Sequence, residues 1–460
     1  MGRLVVISNR VTVVDGRPDR GGGLAVGLLA ALKEADGIWC GWSGVLDENP
    51  SPDFRRFESG QIGYATLDLR PDDYQGYYNG ISNSVLWPLF HSRLDLMNFN
   101  REDYDAYRRV NVRFARAMTK LLRPDDMIWV HDYHLIPLAE ELRGMGVTQP
   151  IGFFLHTPFP PHRLMCVMPN HEQLMRSFTA YDLIGFQTVA DRDSFRDYMR
   201  CELNGHTHDD GRMHVGNRLL QTDTFPIGID NDRVAGFAAR SVKSKRINRL
   251  HKSLQGRDLI VGVDRLDYSK GLPQRFRAFE RLLERFPQWR KRVTLLQIAP
   301  PTREEVAEYS AIRNALEMAA GHINGVFAEY DWMPVRYLNQ SFSRQALTGF
   351  LRYAKVGLVT PLRDGMNLVA KEYIAAQNPD DPGVLVLSRF AGAAAELESA
   401  LLVNPYDADE VAEAMNHALK MPLAERRLRW QESMDVLSHQ DINAWRSGFV
   451  AALRVAPNAA

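Results

Sequence analysis

A turn that could hold a ligand lies at Leu362–Glu372, with the sequence LRDGMNLVAKE. It follows the apolar run Lys355–Pro361, which is typical of a buried parallel strand, and it leads into a helical pattern. Asp364 and Gly365 are typical turn residues, and Asn367 is a favourable N-cap for the helix. The stretch is therefore a predicted strand-to-helix turn at the carboxyl end of a strand, where open α/β sheets bind ligands.

The first turn of this predicted helix suits an anion. Its free N–H groups, from Met366 to Val369, favour a phosphate at the helix tip. Glu372 lies roughly 7 Å further along the axis, at about 1.5 Å per residue, within reach of a neighbouring polyhydroxyl group. This arrangement fits a nucleotide sugar, with ribose at Glu372. An ordinary capped helix with an exposed glutamate is the alternative interpretation.

Two cations follow another apolar strand, in the stretch Val263–Gly271 (VDRLDYSKG). Arg265 and Lys270 at a strand end can neutralise a diphosphate leaving group. The neighbouring carboxylates of Asp264 and Asp267 leave a local ion-pair network open as the alternative.

Two further stretches offer groups for a phosphate or a sugar. The loop Ser8–Gly27 carries Gly21, Gly22 and Gly23 before a helical pattern, and these glycines allow close backbone approach. Their spacing is not the dinucleotide fingerprint, and a surface loop is the alternative. Arg303 follows a later strand, and its guanidinium fork matches phosphate oxygens.

The amino-terminal half contains titratable residues after two strands and a separate segment rich in aromatic residues. The segment His131–His134 (HDYH) follows one apolar run and His156 follows the next. A catalytic His–Asp pair is one interpretation, and polar groups that orient a substrate are the favoured one. The segment Tyr74–His91, with Tyr78 and Trp87, suits either the wall of a sugar site or a packed aromatic cluster.

Other polar patterns favour structural roles. The histidines of His206–His214 lack fixed ligand spacing, so no metal site is predicted there. The basic run in the predicted helix Asn231–Leu254 is typical of a surface helix rather than a nucleic-acid site. Four acidic pairs lie at predicted helix starts, where aspartates act as caps: Asp103/Asp105, Asp191/Asp193, Asp230/Asp232 and Asp407/Asp409.

Strand and helix patterns alternate along the chain, which predicts an α/β fold with parallel sheets and crossover helices. We place a first domain at residues 1–235 and a second at 236–441. The last helical pattern, about 442–456, has no strand after it and is a candidate to pack back on the first domain. Because polar motifs follow strands in both halves, we expect the two domains to face each other across a deep cleft.

The composition limits the function classes. The 460 residues carry 56 basic and 56 acidic side chains, so no global charge attracts nucleic acid or an anionic membrane. Cys40, Cys166 and Cys201 are far apart and fit reduced thiols. The apolar run at the N-terminus is too short for a signal peptide, and no run of about 18 apolar residues occurs. These features predict a cytoplasmic protein.

In combination, the motifs resemble the trehalose-6-phosphate synthase family. Matching segments occur in order over nearly the whole chain, and many long motifs at matching spacing are specific. They include LVVISNR at Leu4–Arg10, LWPLFH at Leu86–His91, GFFLHTPFP at Gly152–Pro160, RLDYSKG at Arg265–Gly271 and VTPLRDGMNLVAKE at Val359–Glu372. The resemblance implies the GT-B architecture, with two Rossmann-like domains and an active-site cleft.

The resemblance also implies an activity. A retaining glucosyltransferase of this family moves glucose from UDP-glucose to glucose 6-phosphate and yields α,α-trehalose 6-phosphate and UDP. The implied mechanism is a front-face transfer without a metal or other cofactor, in which the leaving diphosphate oxygen assists deprotonation of the acceptor hydroxyl. A homo-oligomer is expected, and a separate phosphatase is expected to act on the product.

The family's residue roles carry over by position in the sequence. The implied catalytic residues are Arg265, Lys270, His156 and Asp364. The implied donor site comprises Gly22, Gly23, Arg265, Lys270, Phe342 through its backbone, Asp364, Leu368, Val369, Ala370, Lys371 and Glu372. The implied acceptor site comprises Arg10, Tyr78, Trp87, Asp132 and Arg303.

Three alternatives stay open at this stage. A pseudo-glycosyltransferase that couples cyclitols shares the fold, although Arg10, Asp132 and Asp364 argue against it. A non-catalytic nucleotide-sugar sensor is disfavoured by the full set of cationic and acceptor residues. A dehydrogenase is disfavoured because the G-x-G-x-x-G fingerprint is missing. The base of the donor nucleotide, uracil, adenine or guanine, is not determined by the sequence.

Overall fold

The computed structural model describes residues 2–11, 28, 32, 37–60, 62–301 and 307–456. The chain divides into two compact units. The first unit is Met1–Ile227 with Ile442–Ala460, and the second is Gly228–Asp441. The boundary placed after residue 235 falls inside the helix Asn231–Ser241, all of which lies in the second unit.

The first unit contains a mostly parallel sheet. The order of its described strands is β3-β4-β2-β1-β5-β6-β7-β10-β9-β8, and the pairs β3–β4, β10–β9 and β9–β8 are antiparallel. The strands are β1 (Leu4–Arg10), β2 (Ile38–Leu46), β3 (Arg55–Ser59), β4 (Ile62–Leu69), β5 (Met127–His131), β6 (Ile151–Phe154), β7 (Leu183–Phe186), β8 (His206–Thr207), β9 (Arg212–Val215) and β10 (Arg218–Thr224).

The helices of the first unit include a π-helical segment of twelve residues, Gln75–Leu86. The described α-helices are Pro71–Tyr74, Trp87–Phe90, Arg101–Thr119, Leu138–Gly144, His162–Met165, His171–Arg176, Val189–Leu203 and Ile442–Val455. Short 3₁₀ turns occur at Leu94–Leu96, Tyr133–Leu135 and Ser177–Ala180.

The second unit contains a parallel sheet with the order β13-β12-β11-β14-β15-β16. The strands are β11 (Asp258–Val263), β12 (Val293–Ile298), β13 (Val335–Leu338), β14 (Val356–Val359), β15 (Val384–Ser388) and β16 (Leu401–Val403). The described α-helices are Asn231–Ser241, Lys245–Leu254, Leu272–Arg285, Ala307–Phe327, Arg344–Tyr353, Leu368–Ala376, Ala408–Lys420 and Leu423–His439, with 3₁₀ turns at Tyr268–Lys270, Pro287–Trp289 and Gly392–Ala395.

Both units share a Rossmann-type strand order. In the second unit the chain moves outwards from β11 in one direction, then returns to add β14 on the other side of β11. In the first unit the same reversal lies between β1 and β5. Ligands of doubly wound sheets bind beyond the carboxyl ends of the strands at this reversal. The predicted α/β class with two Rossmann-like domains is confirmed.

The local sequence explains how these elements pack. The helix Leu272–Arg285 begins after Gly271, which has a positive φ of 63°, and has a proline in its first turn. It buries Phe276, Phe279 and Leu283, which lie on one face of the helix at the i, i+3, i+7 spacing. Such fully buried side chains each contribute about 1.5–3 kcal/mol relative to exposure.

The last helix, Ile442–Val455, packs inside the first unit. Phe449 stacks on Trp129 of β5 with ring centroids 4.5 Å apart. A β carbon at Gly152 or Gly185 would lie within 2.9 Å of the Phe449 ring, so the glycines allow this close approach. The helix thereby covers β5, β6 and β7 near the candidate site.

One predicted element differs from the structure. The predicted helix Asn231–Leu254 is two helices, because Ser244 adopts an extended conformation and caps the second helix through the N–H of Ile247. The helical pattern that follows Gly23 in the sequence, at Leu24–Glu34, falls largely outside the described residues. Among the described helices, none combines the length and the apolar character that a membrane crossing requires.

Candidate functional site

Two loops of the second unit meet at the strand reversal. The loop after β11 carries Arg265 and Lys270, and the loop after β14 carries Asp364. The N–H of Leu362 donates to the carbonyl of Ser269 at 2.8 Å, which ties the two loops together. The sequence predicted both loops at strand ends, and the strand order makes them neighbours.

Lys270 and Asp364 form an ion pair between these loops. Lys270 Nζ lies 2.5 Å from Asp364 Oδ2, and the two side chains are 10% and 13% exposed. The amide of Asn367 donates to the same carboxylate oxygen at 3.0 Å. A cation, a carboxylate and an amide are thus fixed together, a combination suited to hold phosphate and sugar hydroxyl groups.

A second charge pair lies beneath the loops. Arg275 Nη1 contacts Asp264 Oδ2 at 2.8 Å, and both side chains are almost fully buried. Burial raises the pKa of Asp264, and Arg275 opposes that shift. Arg275 also donates to Thr360 Oγ1 at 3.0 Å, at the end of β14. Through these contacts Arg275 links the loop after β11 to the loop after β14.

The alternative of a local ion-pair network is correct in one respect. Arg265 Nη2 lies 3.8 Å from Asp267 Oδ2, and Arg265 stays about half exposed. Asp267 accepts hydrogen bonds from the N–H and hydroxyl groups of Ser269 at 3.0 Å. Lys270, in contrast, reaches across to Asp364 rather than to its sequence neighbours.

Asn367 does not cap its helix as predicted. Its φ of 72° and ψ of 82° are left-handed, and its side chain makes no capping hydrogen bond. Instead, its amide donates to Asp364 and reaches Asp264 at 3.5 Å. The local pattern was misleading because the side chain is oriented towards Asp364, three residues earlier, and Asp264, which is 103 positions away.

The turn rests on a segment that the sequence did not identify. Asp364 N–H donates to the Phe390 carbonyl, and Gly392 N–H donates to the Asp364 carbonyl, both at 3.1 Å. A β carbon at Gly392 would lie 1.9 Å from the carbonyl oxygen of Gly365, so only glycine fits. No motif marked this segment in the sequence, because its role depends on β15 lying beside β14.

The helix after the turn carries Glu372 in a largely buried position. Its carboxylate lies 3.6 Å from Arg344, and each side chain is 17% exposed. Burial raises the pKa of Glu372, and Arg344 opposes the shift. Leu368 and Val369 are half-buried.

The remaining predicted donor residues have different surroundings. Ala370 is fully buried. The ammonium group of Lys371 is also buried and lies 2.7 Å from Glu396, so the Lys371 side chain forms an ion pair in the interior of the second unit. The ring of Phe342 packs edge-on against Phe350, and Arg246 lies over it at 5.2 Å. The backbone of Phe342 is the part for which a donor contact is predicted.

The first unit places Arg10 at the end of β1. Its guanidinium group lies 5.4 Å from the ring centroid of Trp42, which is its neighbour on β2. Gly44 has φ 90°, and a β carbon there would lie 2.6 Å from Arg10 Nη2. The shape of β2 therefore leaves room for the guanidinium group.

Aromatic rings continue from Arg10 into the π-helical segment. Tyr78 stacks on Tyr74 at 5.2 Å and on His134 at 5.9 Å, and it contacts Trp42 at 6.3 Å. π-Helical turns often occur at functional sites because they reposition side chains. The predicted packed aromatic cluster is thus present, and the use of these rings as the wall of a sugar site stays a prediction.

Trp87 lies immediately after that segment. Its ring is 4.1 Å from His91 and 5.9 Å from Tyr133. His91 Nδ1 lies 2.7 Å from the Trp87 carbonyl oxygen, which fixes the short helix in place.

Asp132 and His156 follow β5 and β6. Asp132 has the unusual φ of 73°, and its carboxylate accepts a hydrogen bond from the His156 N–H at 3.3 Å. Strained backbone of this kind is concentrated at functional sites. The two residues meet through the main chain of His156, so no His–Asp side-chain dyad is formed by this contact.

His156 is paired with a second histidine. His131 Nδ1 lies 3.0 Å from His156 Nε2. Burial lowers the pKa of His156 to about 3 and lowers the pKa of His131 well below its usual value. Both imidazoles are therefore neutral near pH 7, so His156 can exchange hydrogen bonds but supplies no positive charge.

With this geometry established, the chain can be compared with known proteins. Residues 8–455 match the sequence model of glycosyltransferase family 20. The chain belongs to glycosyltransferase family 20.

Family 20 relatives match over nearly full length. A trehalose-6-phosphate synthase of Enterobacter sp. (strain 638) is 49% identical over 99% of this chain and 95% of that protein. A structure of a UDP-forming α,α-trehalose-phosphate synthase from Burkholderia xenovorans, in complex with glucose-6-phosphate, has a TM-score of 0.95 at 48% identity, over 98% of this chain and 100% of that chain. The Escherichia coli protein bound with UDP-2-fluoro glucose has a TM-score of 0.95 at 48% identity, over 99% of both chains. The resemblance inferred from the motifs is confirmed.

Several predicted positions of this family 20 chain lie apart from the described site. Gly22, Gly23 and Arg303 fall outside the described residues. Asp230 and Asp407 cap helices, accepting hydrogen bonds from the N–H groups of Arg233 and Glu410 respectively, as predicted. At the other two acidic pairs the prediction was wrong, because Asn100 and Thr188 cap those helices.

Proposed function

We propose that the protein transfers glucose from UDP-glucose to glucose 6-phosphate with retention of configuration, giving α,α-trehalose 6-phosphate and UDP. The observation that carries this proposal is the near full-length likeness to one enzyme solved with glucose-6-phosphate and another bound with UDP-2-fluoro glucose. Polar and charged residues at both strand reversals, among them Arg10, Lys270 and Asp364, suit phosphate and sugar hydroxyl groups chemically.

The donor occupies the strand reversal of the second unit in this proposal. Lys270 and the exposed guanidinium group of Arg265 hold the diphosphate, because both cations extend from one loop at a strand end. Asp364 accepts hydrogen bonds from glucose hydroxyls, and Lys270 and Asn367 keep its carboxylate in place. Glu372 accepts hydrogen bonds from the ribose.

The acceptor occupies the strand reversal of the first unit. Arg10 binds the phosphate, and Tyr78 and Trp87 form the wall of the sugar site. A phosphate contact of Arg303, which lies outside the described residues, stays a prediction. Asp132 accepts a hydrogen bond from an acceptor hydroxyl. The support for Arg10 and Asp132 is their position at the ends of β1 and β5, the neighbouring strands at the reversal.

The transfer step needs little covalent chemistry from the protein. The bond between glucose C1 and the diphosphate oxygen breaks, and a bond from C1 to the acceptor oxygen forms on the same face. The acceptor proton passes to the leaving diphosphate oxygen. Lys270 and Arg265 stabilise the charge that develops there, and neutral His156 donates or accepts a hydrogen bond beside the reacting sugar. No metal takes part in this proposed mechanism.

The decisive experiment incubates the protein with UDP-glucose and glucose 6-phosphate and measures UDP release and the disaccharide phosphate. Parallel reactions with ADP-glucose and GDP-glucose determine the preferred base. A cyclitol-coupling enzyme would leave glucose 6-phosphate unused, and a sensor would bind UDP-glucose without turnover. Either result would refute the proposal. Self-association, a cytoplasmic location and a separate phosphatase for the product stay predictions.

A further inference from the structure

Three side chains with metal-binding atoms meet in the first unit, apart from the residues assigned to the sugars. They are His162, Cys166 and Glu202, and their ligand atoms all lie within 4.8 Å of one another. His162 Nε2 is 2.6 Å from Glu202 Oε1. The three atoms are a nitrogen, a sulfur and an oxygen, so the cluster combines the three ligand types that zinc accepts.

Two helices hold the cluster in place. His162 begins the helix His162–Met165, and the N–H of Cys166 donates to the His162 carbonyl at 3.2 Å, so both side chains lie on one face of the turn. Glu202 lies in the last turn of the helix Val189–Leu203. Because His162 and Glu202 lie in helices and Cys166 is the C-cap residue of the first helix, small side-chain rotations are enough to bring the three groups around an ion.

The degree of exposure also suits a metal. The His162 and Glu202 side chains are 25% and 29% exposed, and Cys166 is half-buried, so an ion can enter from solvent. A thiolate and a carboxylate together balance the charge of a divalent cation. Three protein ligands leave the fourth tetrahedral position to water.

Binding an ion changes the contacts within the cluster. The metal ligand is a thiolate and not a thiol, so Cys166 loses its proton to solvent. The contact between His162 and Glu202 must also open to about 3.3 Å, the separation of two ligands around a tetrahedral zinc ion.

We propose that His162, Cys166 and Glu202 form a binding site for a divalent cation of the zinc type. The ion links the helix His162–Met165 to the helix Val189–Leu203. This inference is independent of the proposed transfer reaction, in which none of the three residues takes part.

The test uses the full-length protein and Co²⁺ as a spectroscopic substitute for zinc. Cobalt in this site gives a thiolate-to-cobalt charge-transfer band and the visible bands of a tetrahedral ion, saturating at one ion per chain. Zinc added afterwards removes these bands and raises the Tm. Cys166→Ser abolishes the charge-transfer band, and Glu202→Gln weakens cobalt binding on the order of tenfold or more.

Cys201→Ser is the matched control, because Cys201 is an exposed thiol next to Glu202 in the chain. Its spectrum should equal that of the unaltered protein. A missing charge-transfer band in the unaltered protein would overturn the proposal, and so would a band that persists in Cys166→Ser. If Cys166→Ser fails to fold, as judged by circular dichroism, loss of binding in His162→Gln supports the site and unchanged binding overturns it.

Discussion

Gly44 lies directly against the guanidinium group of Arg10. A β carbon at this position would come within 2.6 Å of Nη2 and 2.8 Å of Nε. Gly44 belongs to β2 and Arg10 to β1, and the register between these strands shifts before Arg10. The irregular pairing at the carboxyl ends of β1 and β2 therefore positions the Arg10 side chain.

We expect Gly44→Ala to displace Arg10 and raise the KM for glucose 6-phosphate about tenfold, equivalent to about 1.4 kcal/mol of lost binding. The KM for UDP-glucose should change little. Gly60→Ala is the control, because Gly60 also has a positive φ, 64°, but has no atom within 4 Å of an added β carbon. Equal acceptor KM values in the two variants would contradict the placement of Arg10.

Lys270→Ala removes the cation that pairs with Asp364, and the proposed leaving group loses its main charge partner. We expect kcat to fall on the order of 10²-fold or more. Lys355→Ala is the matched control, since Lys355 also forms an ion pair in the second unit, with Asp258 at 3.3 Å. Steady-state kinetics would contradict the assignment if both variants kept near-normal turnover.

Asn367→Gly removes the side-chain amide and keeps the backbone conformation, because glycine tolerates the left-handed φ of 72°. Loss of the hydrogen bond to Asp364 should lower kcat/KM for UDP-glucose about tenfold. The free energy of unfolding should fall by only about 1 kcal/mol, the usual value of one hydrogen bond. A variant with full activity would show that Asp364 keeps its orientation without the amide.

Lys371 and Glu396 form a buried ion pair, and burial lowers the pKa of Lys371 and raises that of Glu396. Lys371→Met should destabilise the protein by about 3–5 kcal/mol, because it leaves the carboxylate buried alone. The double variant Lys371→Met/Glu396→Leu should recover much of that loss. Urea unfolding of the single and double variants measures this, and an additive effect of the two changes would contradict the coupling.

The neutral histidines predict how stability depends on pH. Because burial lowers the pKa of His156 to about 3, the unfolded chain binds more protons than the folded protein below pH 6.5. Stability is therefore greatest above that pH and falls as the pH drops towards 3. His156 contributes a slope of about 1.4 kcal/mol per pH unit between these limits.

His156→Gln should reduce that slope by about 1.4 kcal/mol per pH unit, which corresponds to one proton. The slope is obtained from the free energy of unfolding at pH 6, 5 and 4. His417→Gln is the control, because His417 is exposed on the helix Ala408–Lys420. An unchanged slope in His156→Gln would mean that His156 titrates alike in both states.

The amino-acid sequence by itself determined that polar loops follow the buried strands. Apolar runs of strand length ended in polar turns at Asn9-Arg10, at His131–His134, at Val263–Gly271 and at Leu362–Glu372. Parallel strands present their carboxyl ends on the same side of a sheet, so the sequence predicted ligand binding at these loops without coordinates. The long motifs in matching order then identified the family.

Only the tertiary structure decided which side chains are partners. Lys270 pairs with Asp364, 94 positions away, and Asp264 pairs with Arg275 rather than with the cations of its own loop. Asn367 bridges two carboxylates instead of capping its helix. These choices depend on strand order and backbone dihedral angles, which bring distant segments together, whereas a local pattern contains only the preferences of near neighbours.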